Sequence, residues 1–178
     1  MYKIEKKFLT KNPYSRPGIR LKSVNGIVVH WVANTNTSAI ANRNFFEMRK
    51  DETRGYGSAH FIIDLDGNII QCLPLYEMAY HVGANEYNPN IIKNLGIYPN
   101  NCTLGIECTH INNYGKMTIE TYYSLIKLTH DLLKKYNLNN EKDLYRHYDI
   151  TNKNCHKWFV DNPDKWEEFK KKVGKYGE

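Results

Sequence analysis

The run Gly26-Ile27-Val28-Val29-His30-Trp31-Val32 leaves this chain few ways to fold. Its β-branched residues are nearly continuous, which favours a strand buried on both faces of a sheet. Cys102-Thr103-Leu104-Gly105-Ile106-Glu107-Cys108 reads as another central strand, with Glu107 a carboxylate in a run that otherwise wants burial. The runs 57–64 and 68–73 flank Asp66-Gly67, a strong hairpin signal. Helical patterns lie between these strands. The fold class expected is therefore α/β, a mixed central β-sheet flanked by helices on both faces.

The helices are legible from their caps and periods. Thr37-Ser38 can cap a helix over roughly 38–50, with Ile40, Phe45 and Met48 as its expected buried face. A short helix is expected from Pro89. Thr118 caps the longest helix, about 119–137, whose stripe is Tyr122, Leu125, Ile126, Leu132, Leu133 and Tyr136. Its other face carries Lys127, His130, Asp131, Lys134 and Lys135. Asn162-Pro163 starts a last helix, 162–178, docked by Trp166, Phe169 and Val173. Residues 1–22, with Pro13, Pro17 and Gly18, read as an irregular lead-in able to wrap the core. The chain of 178 residues is expected to form a single domain, 1–178.

Charge and cysteine usage narrow the function classes. A net charge of +6 favours an acidic partner, whether nucleic acid, membrane surface or anionic polymer. The basic residues are scattered except for Lys170-Lys171-Lys172, a solvated helix face and not a nucleic-acid stripe. No run is long enough to span a bilayer, and the N-terminus has no apolar signal region. Synthesis in the cytoplasm without a signal peptide is the corresponding expectation. Four cysteines are too few for a disulfide scaffold. Cys72, Cys102 and Cys108 read as buried free thiols, whereas Cys155 has polar neighbours.

Chemistry concentrates between Arg146 and Phe159. Asp149, Thr151, Asn152 and Asn154 make this a polar, turn-rich loop rather than a helix or strand, holding His147, Lys153 and Cys155. A catalytic zinc takes three protein ligands from His, Cys and carboxylate and keeps one position open. His30, His147 and Cys155 are ligands of the right types. On the residues alone the alternative stays open that His30 is a core histidine and Cys155 a spare thiol. Glu107 is a candidate general base, because a carboxylate in a dry strand has a raised pKa; the alternative is a carboxylate paired to an arginine such as Arg146. Lys153 can stabilise an oxyanion, or simply be a surface lysine. Of the other histidines, His60 reads as a hydrogen-bonded core residue, His130 as exposed and His81 as a possible substrate contact. His110 and His156 carry no clear signal. Asp64 and Asp66 are explained by the hairpin turn.

These residues fall into four blocks: Val29-His30-Trp31-Val32-Ala33-Asn34; Ser58-Ala59-His60-Phe61-Ile62-Ile63-Asp64 with Asp66-Gly67; Ala79-Tyr80-His81-Val82-Gly83 followed by Leu104-Gly105-Ile106-Glu107; and Arg146-His147-Tyr148-Asp149 with Lys153-Asn154-Cys155. In this order the chain resembles the zinc-dependent N-acetylmuramoyl-L-alanine amidases of the type-2 amidase family, which includes phage endolysins and peptidoglycan recognition proteins. The resemblance covers about 26–159. It implies a zinc cleft on one side of the sheet, one zinc per chain, with His30, His147 and Cys155 as ligands. It further implies Glu107 and Lys153 as catalytic residues, and His81, Trp31 and Asn34 in contact with substrate. The implied activity cuts the amide between N-acetylmuramic acid and L-alanine in peptidoglycan, as an endolysin catalytic domain or bacterial autolysin. Expected with it are a monomer, no nucleic acid, no membrane insertion, action on the cell wall after holin-type release, and no wall-binding domain.

Two positions depart from the family pattern. Ala59 stands where one branch has a catalytic tyrosine, which shifts the burden to Glu107 and leaves Tyr56 at most a distant substitute. His156 stands where a proline usually follows the third ligand. Two alternatives belong to other classes. A non-catalytic peptidoglycan-binding module typically loses the third ligand. A glycosidase needs a second acid near Glu107.

Overall fold

The structure, a computed structural model, describes residues 3–51 and 54–177; Met1, Tyr2 and Glu178, the extremities of the two terminal segments, lie outside the described residues. In chain order the elements are β1 (Ile4–Lys6), β2 (Gly26–Trp31), α1 (Ala39–Glu47), β3 (Phe61–Ile63), β4 (Ile69–Gln71), α2 (Pro89–Leu95), β5 (Thr103–Cys108), α3 (Ile119–Tyr136), β6 (Leu144–Arg146), α4 (His147–Thr151), α5 (Lys157–Asp161) and α6 (Pro163–Gly174). The strands form one six-stranded sheet in the order β1-β4-β3-β5-β2-β6. Only the β3–β4 hairpin is antiparallel among these pairings. The mixed α/β class read from the sequence is therefore the fold.

Strand alternation sorts the side chains into two layers. Ile27, Val29, Leu104, Ile106, Phe61 and Ile63 point to the face covered by α3 and α6. There the rings of Phe159, Trp166 and Phe169 lie 5.2–5.4 Å apart, each pair contributing about 0.5–1.5 kcal/mol beyond its buried area. The opposite face packs Ile62 and Ile70 against Ala39 and Phe46 of α1. It also packs Val28 and Tyr145 against Leu95 of α2 and Ile150 of α4. Helices thus cover both faces.

Local signals account for most of the ends. Ser38 Oγ accepts from Ala41 N, and Thr118 Oγ1 accepts from Thr121 N, as N-caps should. The hairpin turns through Gly67 at φ +80°, and an added Cβ there would lie 2.8 Å from the Glu120 carbonyl. No helix among the described residues is long and apolar enough to cross a membrane.

Several expectations need correction. Residues 1–22 are not wholly irregular, because β1 pairs in parallel with the hairpin strand β4. All three of its residues are exposed, so no apolar pattern announced it. On α1 and at its C-terminal cap, Ile40, Phe45 and Met48 are 37%, 43% and 44% exposed. The inner face instead ties down the lead-in: Arg43 donates to the carbonyls of Lys7 and Phe8, and Glu47 accepts from Thr10 N. The stretch 146–159 is not all loop, since β6 runs into the single-turn α4 and α5 follows. Asp149 and Asn152 serve as the caps of α4. His130 is only part exposed, with Nδ1 hydrogen-bonded to the Val173 carbonyl. Arg146 does not pair with Glu107; its guanidinium binds Asp149 and the Phe159 carbonyl.

The lead-in is also locked by an ion pair between the part-buried Arg16 and the buried Glu77. Arg16 meets Glu77 in a two-point contact at 2.7 and 2.9 Å, and donates to the Leu9 carbonyl. Arg16→Leu is expected to lower the unfolding free energy by about 1–3 kcal/mol near neutral pH, because it leaves the buried Glu77 carboxylate without its cation. The guanidinium holds that carboxyl below its ordinary pKa. Denaturant unfolding should therefore show the loss shrinking as pH falls and the orphaned carboxyl takes up a proton.

Candidate metal centre

The site lies where the parallel strands β2, β5 and β6 end, the end at which open α/β sheets place ligands. In the β2–β5 register His30 sits directly opposite Glu107. Both alternate with core residues, so both side chains leave the sheet on the face away from α3 and α6. Arg146 is the last residue of β6 in register with β2, opposite Val29. The next residue, His147, therefore arrives beside His30, with ring centroids 4.9 Å apart.

The turn after α4 brings in the third member. Asp149 accepts from Arg146 N at 2.8 Å and also binds its guanidinium, which closes the first turn of α4. Asn152 ends it in the left-handed region at φ 60°, a conformation asparagine tolerates. Tyr148 N then donates to the Cys155 carbonyl at 2.7 Å. Cys155 Sγ comes to 3.7 Å from His30 Nδ1. The ligand atoms of His30, His147 and Cys155 all lie within 4.8 Å of one another.

All three side chains are buried, at 2%, 5% and 4% exposure. Burial pushes the His30 imidazole well below its ordinary pKa, with His147 adding to it. It pushes His147 down to about 4, with the Lys153 charge acting the same way. Both rings are therefore neutral at pH 7, the form in which imidazole binds a metal. Burial raises the Cys155 thiol to about 12, with Glu107 adding to it. A divalent cation would reverse that preference by stabilising the thiolate. His147 Nε2 is buried without a hydrogen-bond partner, and such an orphan in a triangle of soft and borderline ligands fits a metal ion. The cluster can hold a metal.

A cleft of about 620 Å³ opens over the triangle, and Glu107 and Lys153 line it. Glu107 Oε2 is buried and unpartnered. Burial lifts its carboxyl to about 8, against a downward pull from Lys153. Glu107 is the one carboxylate among the described residues lining the cleft. The outer wall is aromatic, with Tyr56 packed between Tyr14 and Tyr80.

Trp31 lines the cleft and stacks on His110 at 4.6 Å. His81 also lines it, but both its ring nitrogens are engaged, with His30 and with Thr103. Asn34 is exposed, caps Thr37 Oγ1 with its carbonyl, and is not among the described lining residues. His60 is a buried core residue between Gly105 N and the Glu77 carbonyl. His156 is buried against Phe159. Asp64 and Asp66 accept from backbone N–H groups of their own turn.

Sequence reasoning missed Asn100, fully buried, which lines the cleft with an unpartnered Nδ2. It also missed Thr103 and Gly105. A glycine inside a strand run was the available signal, since it often marks a close approach.

A mixed sheet with a buried His–His–Cys triangle and a desolvated carboxylate at its strand ends defines an α/β domain built round a candidate catalytic metal centre. The chain belongs to the N-acetylmuramoyl-L-alanine amidase family, whose sequence profile matches residues 20–158. It is 34% identical over 173 residues to a probable N-acetylmuramoyl-L-alanine amidase of Bacillus licheniformis, covering 97% of this chain and 48% of that protein. A mutant endolysin from Bacillus subtilis has the same fold, with TM-score 0.74 and 24% identity over 98% of this chain and 100% of the other. The N-acetylmuramoyl-L-alanine amidase LysC from Clostridium intestinale superposes with TM-score 0.67 at 25% identity, covering 98% and 99%. The chain spans about half the length of the curated relatives it matches.

Proposed function

We propose that this chain is a catalytic domain that hydrolyses the amide between N-acetylmuramic acid and L-alanine in peptidoglycan, acting at the cell wall as a monomer with one zinc held by His30, His147 and Cys155. The observation that carries the reading is the buried ligand triangle set beside an unpaired carboxylate in an open cleft. Family membership supports the choice of substrate. Zinc held there would supply a Lewis acid for the scissile carbonyl and make a water more acidic.

The chain's own residues then divide the work. The ionised form of Glu107, which a cation in the triangle would favour, takes a proton from the attacking water as the water oxygen bonds to the lactyl carbonyl carbon. Lys153 faces the charge that develops on the carbonyl oxygen. Glu107 returns the proton to the nitrogen as the C–N bond breaks, which leaves a lactyl carboxylate and the free amine of L-alanine. The tyrosines of the cleft wall offer flat faces to sugar and peptide.

A binding module without activity is disfavoured because Cys155 stands in the triangle. A glycosidase is disfavoured because the described residues lining the cleft include no carboxylate besides Glu107. The test is digestion of purified walls with and without a zinc chelator. The expected result is new alanine amino ends, lost on chelation and restored by zinc. Release of reducing sugar ends that survives chelation would overturn the reading.

A further inference from the structure

The His30 ring must present a lone pair, and not a proton, to a metal, and a line of hydrogen bonds behind it decides which nitrogen does so. Thr103 Oγ1 lies 2.8 Å from the Pro99 carbonyl, which can only accept. The single hydroxyl proton is thereby used, so toward His81 Nε2, at 3.1 Å, Oγ1 can only accept. His81 therefore carries its proton on Nε2, and the Thr103 carbonyl at 3.4 Å accepts from the same position. A second proton would make a buried imidazolium, which an apolar setting disfavours. His81 Nδ1 is left with a lone pair, 2.9 Å from His30 Nε2. His30 Nε2 must then donate, and the His30 lone pair falls on Nδ1, the nitrogen beside Cys155 Sγ.

The line is held rigidly. The His81 ring lies on β5 where Gly105 leaves room, since an added Cβ would approach the ring to 2.7 Å. Asn100 Oδ1 accepts from the backbone N–H groups of His81 and Val82. Thr103, Gly105 and Glu107 share the cleft-facing side of one strand, so the element that presents the carboxylate also anchors the relay.

We propose that His81 is a positioning residue for the metal centre. The line Pro99–Thr103–His81–His30 locks His30 as its Nε2–H tautomer and aims Nδ1 into the triangle. This inference rests on the zinc reading of that triangle. It assigns His81 an action through His30 and leaves neither of its ring nitrogens free for substrate. Partners of this kind typically change metal affinity by about 10–100-fold when removed.

The test compares His81→Leu, which removes the acceptor, with His81→Asn, whose side-chain oxygen can reach the position of Nδ1. Zinc affinity is measured by competition with a chromophoric chelator, and melting of the zinc-free proteins checks the fold. The expected result is a loss of about 10–100-fold for His81→Leu and a value near wild type for His81→Asn. Thr103→Val should weaken zinc in the same direction. Nitrogen-15 shifts of the zinc-free wild type should show His30 protonated at Nε2.

Wild-type affinity in His81→Leu would overturn the proposal. So would equal losses in both His81 variants with Thr103→Val unchanged, the pattern of simple packing. If His81→Leu does not fold, Thr103→Val and the nitrogen shifts decide, and a His30 proton on Nδ1 refutes the relay. A wild-type protein that binds no zinc would defeat the functional reading, while the nitrogen shifts would still test the tautomer.

Discussion

Cys155→Ser is expected to cost zinc and lysis together. The thiolate is the softest of the three ligands, and a serine hydroxyl at the same place is a far poorer one. Removing a direct ligand should weaken zinc retention by at least about 100-fold, the upper end of what indirect partners cost. Release of alanine amino ends should fall with it. The exchange is nearly isosteric, and the new hydroxyl would face the cleft beside His30 Nδ1, so the zinc-free variant should melt close to wild type. Cys108→Ser supplies the contrast, because that thiol is buried in the core against α3. It should lose stability but keep its zinc. Zinc content by atomic absorption, read beside alanine release, separates the two cases. Full metal content in Cys155→Ser would remove Cys155 from the ligand set.

Glu107→Gln should have the opposite profile, keeping zinc and losing turnover. Removing a general acid–base group typically costs about 10²–10⁴-fold in rate. The same substitution should stabilise the zinc-free protein, and the sign follows from protonation. The Glu107 carboxyl sits near pH 8 in the folded chain against an ordinary 4.5. Between those values the folded state holds a proton that the unfolded state has released, so this group's contribution to stability falls as pH rises. Above pH 8 the cost is complete, on the order of a few kcal/mol. Glutamine carries no such cost.

His30 and His147 work in the other direction, because burial lowers both. Between about 4 and 6.5 for His147, the unfolded chain binds the extra proton and stability rises with pH. Urea unfolding of the zinc-free proteins from pH 5 to 9 should therefore show Glu107→Gln gaining on wild type toward the alkaline end. Parallel curves would mean that Glu107 titrates as an ordinary carboxylate and is not the desolvated base.

Cys155 was a candidate before folding because its neighbours are polar and His147 stands eight places away, with a spare thiol as the open alternative. Glu107 stood out as a charge in an apolar strand. Their relation to each other was not legible, since His30 and Glu107 become neighbours only through the β2–β5 register. Asn34 shared a sequence block with His30, yet it lies past the strand end and is not among the described residues lining the cleft.

By itself the sequence determined the elements whose signals are local. The β-branched runs became β2 and β5, Asp66-Gly67 turned the hairpin, and Thr118 and the 3.6-residue stripe delimited α3. Each rests on interactions within a few residues, so the reading needs no partner. Tertiary structure alone decided the rest. β1 exists because β4 offers a free edge, and α1 turns its polar face inward because the lead-in supplies carbonyls to bind. The tautomer of His30 is set from Pro99 through Thr103 and His81. Hydrogen bonds between distant segments have directions and distances that no sequence spacing encodes, and the chemistry of this site depends on them.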